Sequence, residues 1–518
     1  MRGLRLLVAT LLLPTLVVLA PEADASTRAC AASEPSVPGA DVVSVTAVEQ
    51  PGGEVPSFPG FPPVTDVPPY CEVTVTLTHP GVDDRVAVTV WLPVSGWTGR
   101  FQGVGGGGYA MSQGAFALAE AIKLGYAAAS TDGGVGTDFE SPATWALGPD
   151  GHVNQELLRN FASRSLHDMT VAGKAVTADH YGRPANHSYW NGCSTGGRQG
   201  LMNAQRYPAD YDGINAMAPA VNWDRFIPAN LWPQVVMRQE RNVPTQCEFA
   251  AFQQAAVAAC DGLDGVTDGV VDLPKRCRYN PYRLVGTTIV CEGKEITISR
   301  ADADVVRKIW DGTPLWYGLN RGTSFAALAN TVPGPDGKPV GAPFRISETW
   351  VQYFLEENPD FDVSTITYRD FERLFTLSQR KYNRIIGTDD PDLSAFRASG
   401  GKMITWHGTD DSLIPYQGTV DYRDRVDRAM GGTSKVDRFY RVFLAPGVDH
   451  CFGGPGPFPV DPMGALVDWV EKGKAPDTLS AVTPDGTATR NLCRYPLTAR
   501  YDGHGDPNSA ASYTCRRT

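Results

Sequence analysis

The segment Gly192-Cys193-Ser194-Thr195-Gly196 places a serine between two glycines, at the junction of a predicted strand and a predicted helix. A serine nucleophile at such a junction needs small residues two positions before and after it, because the turn is tight. A glycine-rich chain also produces this pattern by chance. The motif therefore indicates a nucleophile only if the residues that would activate it are also present.

A serine hydroxyl needs a base that takes its proton and a carboxylate that orients the base. Where the serine lies in this motif, the chain order is nucleophile, acid, base. Three histidines follow Ser194, namely His407, His450 and His504. His407 precedes the best acid candidate, Asp411, and His504 lies in a Gly-His-Gly segment that predicts a surface loop. We therefore predict His450 as the general base and Asp411 as the acid.

The sequence identifies the acid less clearly than the base, because two aspartates are candidates. Asp410 and Asp411 both follow the predicted strand 402–407, and His450 follows the predicted strand 436–444. Each of these positions would lie at the same edge of a sheet as Ser194. Asp410 remains an alternative acid, and Asp411 has the alternative role of capping the next helix.

Two cysteines flank the predicted catalytic residues. Cys193 directly precedes Ser194, and Cys451 directly follows His450. If serine and histidine meet, these cysteines must be close, and a disulfide would limit the relative motion of nucleophile and base. Closing so long a loop is worth roughly 5 kcal/mol in the chain-entropy model.

The glycine-rich loop 103–108 allows two interpretations. It contains G-x-G-x-x-G between a predicted strand and helix, and Asp132 ends the next predicted strand, as in a dinucleotide site. However, five glycines in six residues satisfy many glycine motifs. The same loop can turn a backbone N–H toward an oxyanion, beside the N–H of Thr195. We favour the oxyanion loop.

The acidic segment 260–270 places Asp261, Asp264 and Asp268 along a glycine-bent loop. Calcium prefers several oxygen ligands, including backbone carbonyls, and such a bend lets them converge. The segment does not have the EF-hand pattern. From the spacing alone, a solvated turn is the simpler interpretation.

Alternating strands and helices predict a doubly wound α/β sheet with a large insertion. The rhythm runs from about residue 100 to residue 218, stops at about residue 222 and resumes with the strand at 402. The α/β-hydrolase catalytic domain would comprise residues 26–221 and 390–518, and the inserted lid domain residues 222–389. Two predicted strands, 71–79 and 85–93, precede this alternation, and we expect them to pair antiparallel.

The beginning of the chain and its composition indicate export. Residues 1–25 contain two arginines, an apolar run of about 15 residues and an Ala-Asp-Ala site, which predicts a signal peptide rather than a spanning helix of about 20 residues. Ten cysteines suit an oxidising compartment. The net charge of −11 provides no basic surface for nucleic acid or anionic lipid. We expect a secreted protein acting on small or neutral targets.

Taken together, these motifs resemble those of the tannase and feruloyl esterase family, which also contains the esterase MHETase. The resemblance rests on Gly192-Cys193-Ser194-Thr195-Gly196-Gly197, on 407–411 with Ile414-Pro415, and on His450-Cys451. It implies ester hydrolysis through an acyl-enzyme, with Asp411 rather than Asp410 as the acid. It also implies an acyl pocket shaped by the lid, with Ile414 as a candidate wall residue.

The same resemblance assigns further roles. It leaves Gly106 and Gly107 as candidates for the second oxyanion donor. It implies a structural calcium site in the lid, formed by the side chains of Asp261, Asp264 and Asp268 and the carbonyls of Val266 and Val270. It implies the disulfides Cys30–Cys71, Cys260–Cys277 and Cys493–Cys515, and it leaves Cys247 with Cys291.

Aromatic acyl esters, small or on a plant polymer, are the substrates that the resemblance implies. Hydroxycinnamoyl (feruloyl) esters come first, galloyl esters second and terephthalate monoesters third. A different class of protein, a secreted calcium-dependent binding protein without catalysis, would explain the lid and the export but not a complete triad. The oligomeric state is left open.

Overall fold

A nine-stranded mixed sheet organises the protein, which the computed structural model describes over residues 30–57 and 62–517. The predicted signal peptide lies outside these residues. The strands are β1 (Asp41–Gln50), β2 (Gly53–Val55), β3 (Val64–Val67), β4 (Tyr70–Thr78), β5 (Val86–Pro93), β6 (Arg100–Val104), β7 (Tyr126–Thr131), β8 (His187–Cys193), β9 (Gly213–Met217), β10 (Thr288–Cys291), β11 (Lys294–Thr297), β12 (Thr331–Pro333), β13 (Pro339–Gly341), β14 (Lys402–Gly408), β15 (Tyr440–Ala445), β16 (Phe458–Pro459), β17 (Thr478–Val482), β18 (Thr489–Cys493), β19 (Leu497–Tyr501) and β20 (Tyr513–Arg517).

Helices connect and cover these strands. The α-helices are α1 (Ala115–Lys123), α2 (Gln155–Arg159), α3 (Ser165–Tyr181), α4 (Thr195–Arg206), α5 (Trp223–Ala229), α6 (Trp232–Gln239), α7 (Gln246–Cys260), α8 (Arg300–Asp311), α9 (Arg345–Thr349), α10 (Tyr368–Tyr382), α11 (Ser394–Ala398), α12 (Gln417–Met430), α13 (Thr433–Val436) and α14 (Pro462–Lys472). Short π-helical segments cover Asn160–Arg164, Trp350–Leu355 and Asn383–Gly387, and 3-10 turns cover Asp261–Asp264, Pro274–Arg276, Pro281–Leu284, Val363–Thr365 and Ala510–Ser512.

The central sheet has the order β1-β4-β5-β7-β6-β8-β9-β14-β15. Strands β1, β4, β5 and β7 pair antiparallel, and the pairs from β7 to β15 are all parallel. Buried and half-buried residues alternate along β4, whereas every residue of β7 is buried, because helices cover both faces of the parallel part. The predicted α/β-hydrolase sheet is confirmed.

Between β9 and β14 the chain leaves the central sheet. This part contains α5 to α11 and the small hairpins β10–β11 and β12–β13. Much of it packs on an apolar cluster of its own, which includes Phe252, Val306 and Trp310. It contains the insertion that the broken strand-helix rhythm predicts, and we call residues 222–389 the lid. No helix in the described part of the chain combines the length and the apolar character needed to cross a membrane.

Candidate active site

Ser194 occupies a sharp turn between β8 and α4. Its backbone has φ 63° and ψ −123°, which is rare for a residue with a side chain, and its N–H donates to the carbonyl of Met217 at 3.0 Å. Gly192 and Gly196 face each other across the turn, since a Cβ on Gly192 would lie 2.7 Å from the backbone of Gly196. The two glycines of the motif are thus required by the close approach of strand and helix.

Asp411 and His450 meet at the carboxyl edge of the sheet. His450 Nδ1 lies 2.8 Å from Asp411 Oδ2, an arrangement that leaves Nε2 available to a hydroxyl group. The other carboxylate oxygen, Oδ1, accepts the backbone N–H groups of Leu413 at 2.9 Å and Ile414 at 2.7 Å. These bonds hold the carboxylate in the orientation that a catalytic acid needs.

A second imidazole supports the acid. His407 is fully buried, and its Nε2 lies 3.0 Å from Asp411 Oδ2 while its Nδ1 lies 2.8 Å from Thr419 Oγ1. Although burial raises the pKa of Asp411, the charge of His450 and the hydrogen bonds from both histidines hold it well below its usual range. Asp411 is therefore a carboxylate over the whole working range of pH.

The environment of His450 suits a general base. Burial lowers the pKa of its imidazole, but the charge and hydrogen bond of Asp411 outweigh burial and raise the pKa above 6.5. Asp410 differs: it accepts a hydrogen bond from Thr409 and none from His450, and burial raises its pKa to about 7. Of the two candidate acids, the structure places Asp411 beside His450.

A disulfide joins the nucleophile turn to the base loop. Cys193 and Cys451 are bonded, and their Cα atoms are 5.9 Å apart. Cys451 has φ 61°, so the base loop takes a backbone conformation that non-glycine residues rarely adopt. The bond therefore holds together two loops that are separated by 258 residues of chain. The other disulfides are Cys30–Cys71, Cys247–Cys291, Cys260–Cys277 and Cys493–Cys515, which are the pairings that the resemblance leads us to expect.

The glycine loop packs directly on the nucleophile turn, but two of its N–H groups are already used. Gly106 donates to Gln199 Oε1 at 2.9 Å, and Gly107 donates to the carbonyl of Ala110 at 3.1 Å. These two donors, expected at the oxyanion, serve instead to hold the loop. Gly107 is used in a tight turn at 107–110, which a run of glycines does not predict.

Two other N–H groups remain available beside Ser194. Within the described chain, the N–H groups of Thr195 and Gly108 have no acceptor. Thr195 Oγ1 donates to the Gly108 carbonyl at 2.7 Å, so the two residues are neighbours. Gly108 has φ 53°, and a Cβ there would lie 2.0 Å from the Phe139 carbonyl. Only glycine fits at this position.

Ser194, His450 and both of these residues line one cavity of about 610 Å³. Its surface is mainly apolar, and Ile414 forms part of the wall, as does Trp223 of the lid. No lysine or arginine is among the described residues that line it. The lid aromatics Trp310, Trp316 and Tyr317 do not line it, and Trp310 lies in the lid core.

The acidic segment of the lid folds around Asp261. The two carboxylate oxygens of this residue accept the backbone N–H groups of Asp268 and Gly269 at 3.1 and 2.9 Å. Burial, reinforced by neighbouring carboxylates, raises the pKa of Asp264 and raises that of Asp272 well above its usual range. One arginine, Arg490, pairs with Asp268 at 2.9 Å. The segment thus carries more negative than positive charge.

The residues of this segment suit calcium, because the segment is acidic and offers both carboxylate and carbonyl oxygens as ligands. Their side chains are engaged with the backbone, however, and nowhere in the described residues do three His, Cys, Asp or Glu side chains gather as a metal-binding group. The calcium site of Asp261, Asp264, Val266, Asp268 and Val270 therefore stays a prediction.

A family comparison agrees with this geometry. The sequence model described as "Tannase and feruloyl esterase" matches residues 71–516. The chain belongs to the tannase and feruloyl esterase family. It is a carboxylic ester hydrolase. A probable feruloyl esterase of Arthroderma benhamiae is 48% identical over 94% of this chain and 93% of its own length.

Other members of the tannase and feruloyl esterase family show the same relation. The mono(2-hydroxyethyl) terephthalate hydrolase of Piscinibacter sakaiensis is 32% identical over 87% of this chain and 85% of its own length. Among solved structures, the tannin acyl hydrolase from Aspergillus niger superposes with a TM-score of 0.85 at 27% identity, covering 94% of both chains. Feruloyl esterase B from Aspergillus oryzae gives 0.76 at 28% identity, over 93% of this chain and 97% of that structure.

Three residues of the site escaped the sequence analysis. His407 was available in the acid motif, and its position at the end of a predicted buried strand was a signal that it contacts the acid. Gly108 stood in the same glycine run as Gly106 and Gly107, and nothing in the run distinguishes them. Asp449 accepts the N–H groups of His450 and Ser412 at 2.7 and 2.8 Å, and its place directly before the base was the only signal.

Proposed function

We propose that the protein is a secreted esterase that releases hydroxycinnamic acids, above all ferulic acid, from their esters. The observation that carries this proposal is the mainly apolar cavity lined by Ser194 and by His450, the partner of Asp411, with no lysine or arginine among its described lining residues. An aromatic acyl group without a free carboxylate fits such a wall. The feruloyl esterase relative, at 48% identity over nearly the whole chain, supports the same substrate.

In the proposed reaction, His450 takes the proton of Ser194 as its oxygen attacks the ester carbonyl. The tetrahedral intermediate collapses, and His450 gives that proton to the departing alcohol oxygen. The acyl group then sits on Ser194 until a water molecule, deprotonated by His450, attacks it. The bond from the acyl carbon to the Ser194 oxygen breaks, the acid leaves, and His450 returns the proton to Ser194. Asp411 stays ionised throughout and stabilises the imidazolium that forms twice in the cycle.

The oxyanion of each intermediate would be bound by the N–H groups of Thr195 and Gly108. This assignment replaces Gly106 and Gly107, because their N–H groups are occupied by protein acceptors. Each correctly aimed donor in such a site typically contributes about 2.7–4 kcal/mol to the transition state. The bond from Thr195 Oγ1 to the Gly108 carbonyl supports the alignment of the two donors.

Two alternative substrates remain within the family. Galloyl esters are supported by the structural similarity to a tannin acyl hydrolase. Terephthalate monoesters carry a free carboxylate, and the described residues that line the cavity include no lysine or arginine to pair with it. We therefore rank feruloyl esters first, galloyl esters second and terephthalate monoesters third.

Two further features belong to this proposal. Residues 1–25 would direct export and be removed, in keeping with five disulfides. Calcium would be held by Asp261, Asp264 and Asp268 with the Val266 and Val270 carbonyls, and when bound it would stiffen the lid without entering the reaction. The lid would comprise residues 222–389, and residues 26–221 and 390–518 would form the catalytic domain.

The test compares kcat/KM of the purified mature protein for methyl ferulate, methyl gallate and a terephthalate monoester. We expect the highest value for methyl ferulate and loss of all activity in Ser194→Ala. A higher value for methyl gallate would make the protein a tannase. Activity on a nitrophenyl ester alone would contradict the substrate class. Inactivity on every ester would instead favour the binding protein without catalysis.

A further inference from the structure

The cavity extends to both sides of Ser194, and the two sides differ in chemistry. Ser194 follows β8, which lies in the middle of the strand order β7-β6-β8-β9-β14. Ile414 and the lid residue Trp223 follow β14 and β9 on one side, and Asp132 follows β7 on the other. All of these residues line the cavity. Two strand spacings, about 10 Å, separate the β7 edge from the nucleophile strand.

The β14 side provides an apolar wall. Its cavity residues are Leu413 and Ile414 from the acid loop and Trp223, Phe226 and Ile227 from α5. An aromatic acyl group matches this side, because its ring can be buried against these apolar side chains.

The β7 side carries most of the polar side chains of the cavity, whereas Asn230 at the end of α5 lines the other side. Gln113, Thr137 and Glu140 line it together with Asp132, and the exposed Phe139 adds an apolar face. In the described chain, no residue hydrogen-bonds the side-chain amide of Gln113. Donors and acceptors of this kind suit a group with several hydroxyls rather than a second aromatic ring.

Asp132 is the charged group at the centre of this polar side. Its Oδ1 accepts the backbone N–H groups of Ala87 and Gly134, both at 2.8 Å. No other described residue donates to its Oδ2, and no lysine or arginine among the described residues forms an ion pair with it. The carboxylate is thus fixed in direction by one oxygen and has the other free to accept a hydrogen bond. Burial raises its pKa despite the two N–H donors, as expected for a carboxylate that lacks a further partner.

The geometry points to a subsite for a hydroxylated leaving group, such as a monosaccharide, on the β7 side of Ser194, with Asp132 Oδ2 accepting one of its hydroxyls. This inference rests on the proposed function and extends it to the alcohol half of the ester. The acyl half then lies toward Ile414, and the ester carbonyl lies between the two at Ser194. A hydrogen bond from a hydroxyl to a carboxylate is worth about 1.5–3 kcal/mol, or at least about tenfold in affinity.

The experiment measures kcat/KM for a feruloyl ester of arabinose and for methyl ferulate, in the wild-type protein and in Asp132→Asn. The amide oxygen of the asparagine takes the place of Oδ1 and can accept the same two backbone N–H groups, and the amide nitrogen replaces Oδ2. We expect the wild type to prefer the sugar ester and the variant to lose at least about tenfold of that preference. Asp138→Asn is the matched control, since Asp138 also accepts two backbone N–H groups but does not line the cavity.

A third ester tests whether the hydroxyl that Asp132 binds belongs to the sugar or to the phenol of the acyl group. Methyl 3,4-dimethoxycinnamate lacks the phenolic hydroxyl of methyl ferulate, so a change in the ratio of these two in Asp132→Asn would place the acyl group on the β7 side and overturn the inference. Equal losses on all esters, with a lower Tm, would also overturn it, because Asp132 would then have only a structural role. If the wild type hydrolyses nitrophenyl acetate but no ferulate ester, the proposed function itself fails. That outcome is seen in the wild-type protein alone, so it is distinct from a failure of the subsite inference, which is seen in Asp132→Asn.

Discussion

Asp411 lies between two imidazoles, and its four hydrogen-bond partners explain why it, rather than its neighbour, serves the base. Two backbone N–H groups hold Oδ1, and the rings of His407 and His450 share Oδ2. His407 cannot act as a base, because it is fully buried and its Nδ1 faces Thr419. Its role is to position the carboxylate.

Removing the charge of Asp411 changes both the rate and its pH dependence. The base works as neutral imidazole, so kcat/KM rises with pH through the pKa of His450, which lies above 6.5 because the charge of Asp411 outweighs burial. In Asp411→Asn, burial dominates, so the midpoint moves to lower pH although Asp449 remains nearby. We expect kcat to fall by about 10³–10⁴-fold. An unchanged midpoint in the pH profile of kcat/KM would contradict the pairing.

The hydroxyl of Thr195 gives a second test at the scale of one residue. It donates to the Gly108 carbonyl and so aligns two oxyanion donors. Thr195→Val keeps the shape but removes this bond, and we expect kcat to fall about tenfold because the Gly108 carbonyl loses the partner that aligns the two donors. Thr195→Ser retains the hydroxyl and should stay near the wild-type rate. Equal kcat in both variants would argue against this coupling.

Sequence reasoning finds residues whose neighbours in the chain are informative. Ser194 and His450 were predictable from a motif and an order of residues, and their flanking cysteines reinforced both. Gly108 was not, because the N–H of Gly107 is used in a turn with Ala110 that the run of four glycines at 105–108 does not reveal. Asp132 was considered only for a dinucleotide, since its place in the cavity depends on strand order.

At the scale of elements, the acid and base loops are held by contacts from distant parts of the chain. Asn230 of the lid donates to the Leu413 carbonyl at 2.8 Å, and Asn320 of the lid donates to the Thr409 carbonyl. The base loop is held by the disulfide Cys193–Cys451. The active site is therefore assembled by connections between loops rather than by the sheet alone.

Removing that disulfide should affect catalysis as well as stability. In the double variant Cys193→Ser with Cys451→Ser we expect a lower Tm, since the chain-entropy model gives such a loop about 5 kcal/mol. We also expect a loss of kcat well below the Tm, because His450 gains freedom relative to Ser194. The control is Cys247→Ser with Cys291→Ser in the lid, which should lower Tm only. A wild-type kcat in the first variant would show that the sheet suffices.

The elements themselves were largely predictable, and the differences have physical causes. The predicted strand 436–444 begins late, at Tyr440, because α13 uses Val436 as a buried helical residue. Residues 154–181 have the apolar spacing of one long helix, but a π-helical segment, Asn160–Arg164, interrupts it, and its extra residue leaves that spacing nearly unchanged. Strand β1 was missed, as most of its residues are exposed at the edge of the sheet.

On the scale of the whole molecule, the acidic segment of the lid adjoins the loop that carries the base. A Cβ on Gly447, three residues before His450, would lie 2.8 Å from a methyl group of Val270. Arg490 of β18 pairs with Asp268 and so connects the C-terminal strands to the same segment. In the sequence, Val270 and His450 are 180 residues apart. Folding places Val270 against the base loop.

Calcium removal tests this connection. If the segment binds calcium, ligand at 100 times its Kd adds about 2.7 kcal/mol to the folded state. We expect a chelator to lower Tm by several degrees, added calcium to restore it, and metal analysis to find one ion per chain. Asp261→Asn should lower Tm in the absence of chelator and abolish the response to calcium, whereas Asp336→Asn, an exposed lid residue, should leave both unchanged.

Because Val270 packs on the base loop, kcat should fall with the loss of calcium, before the protein unfolds. A Tm indifferent to chelator and to Asp261→Asn would mean that backbone hydrogen bonds alone hold this segment.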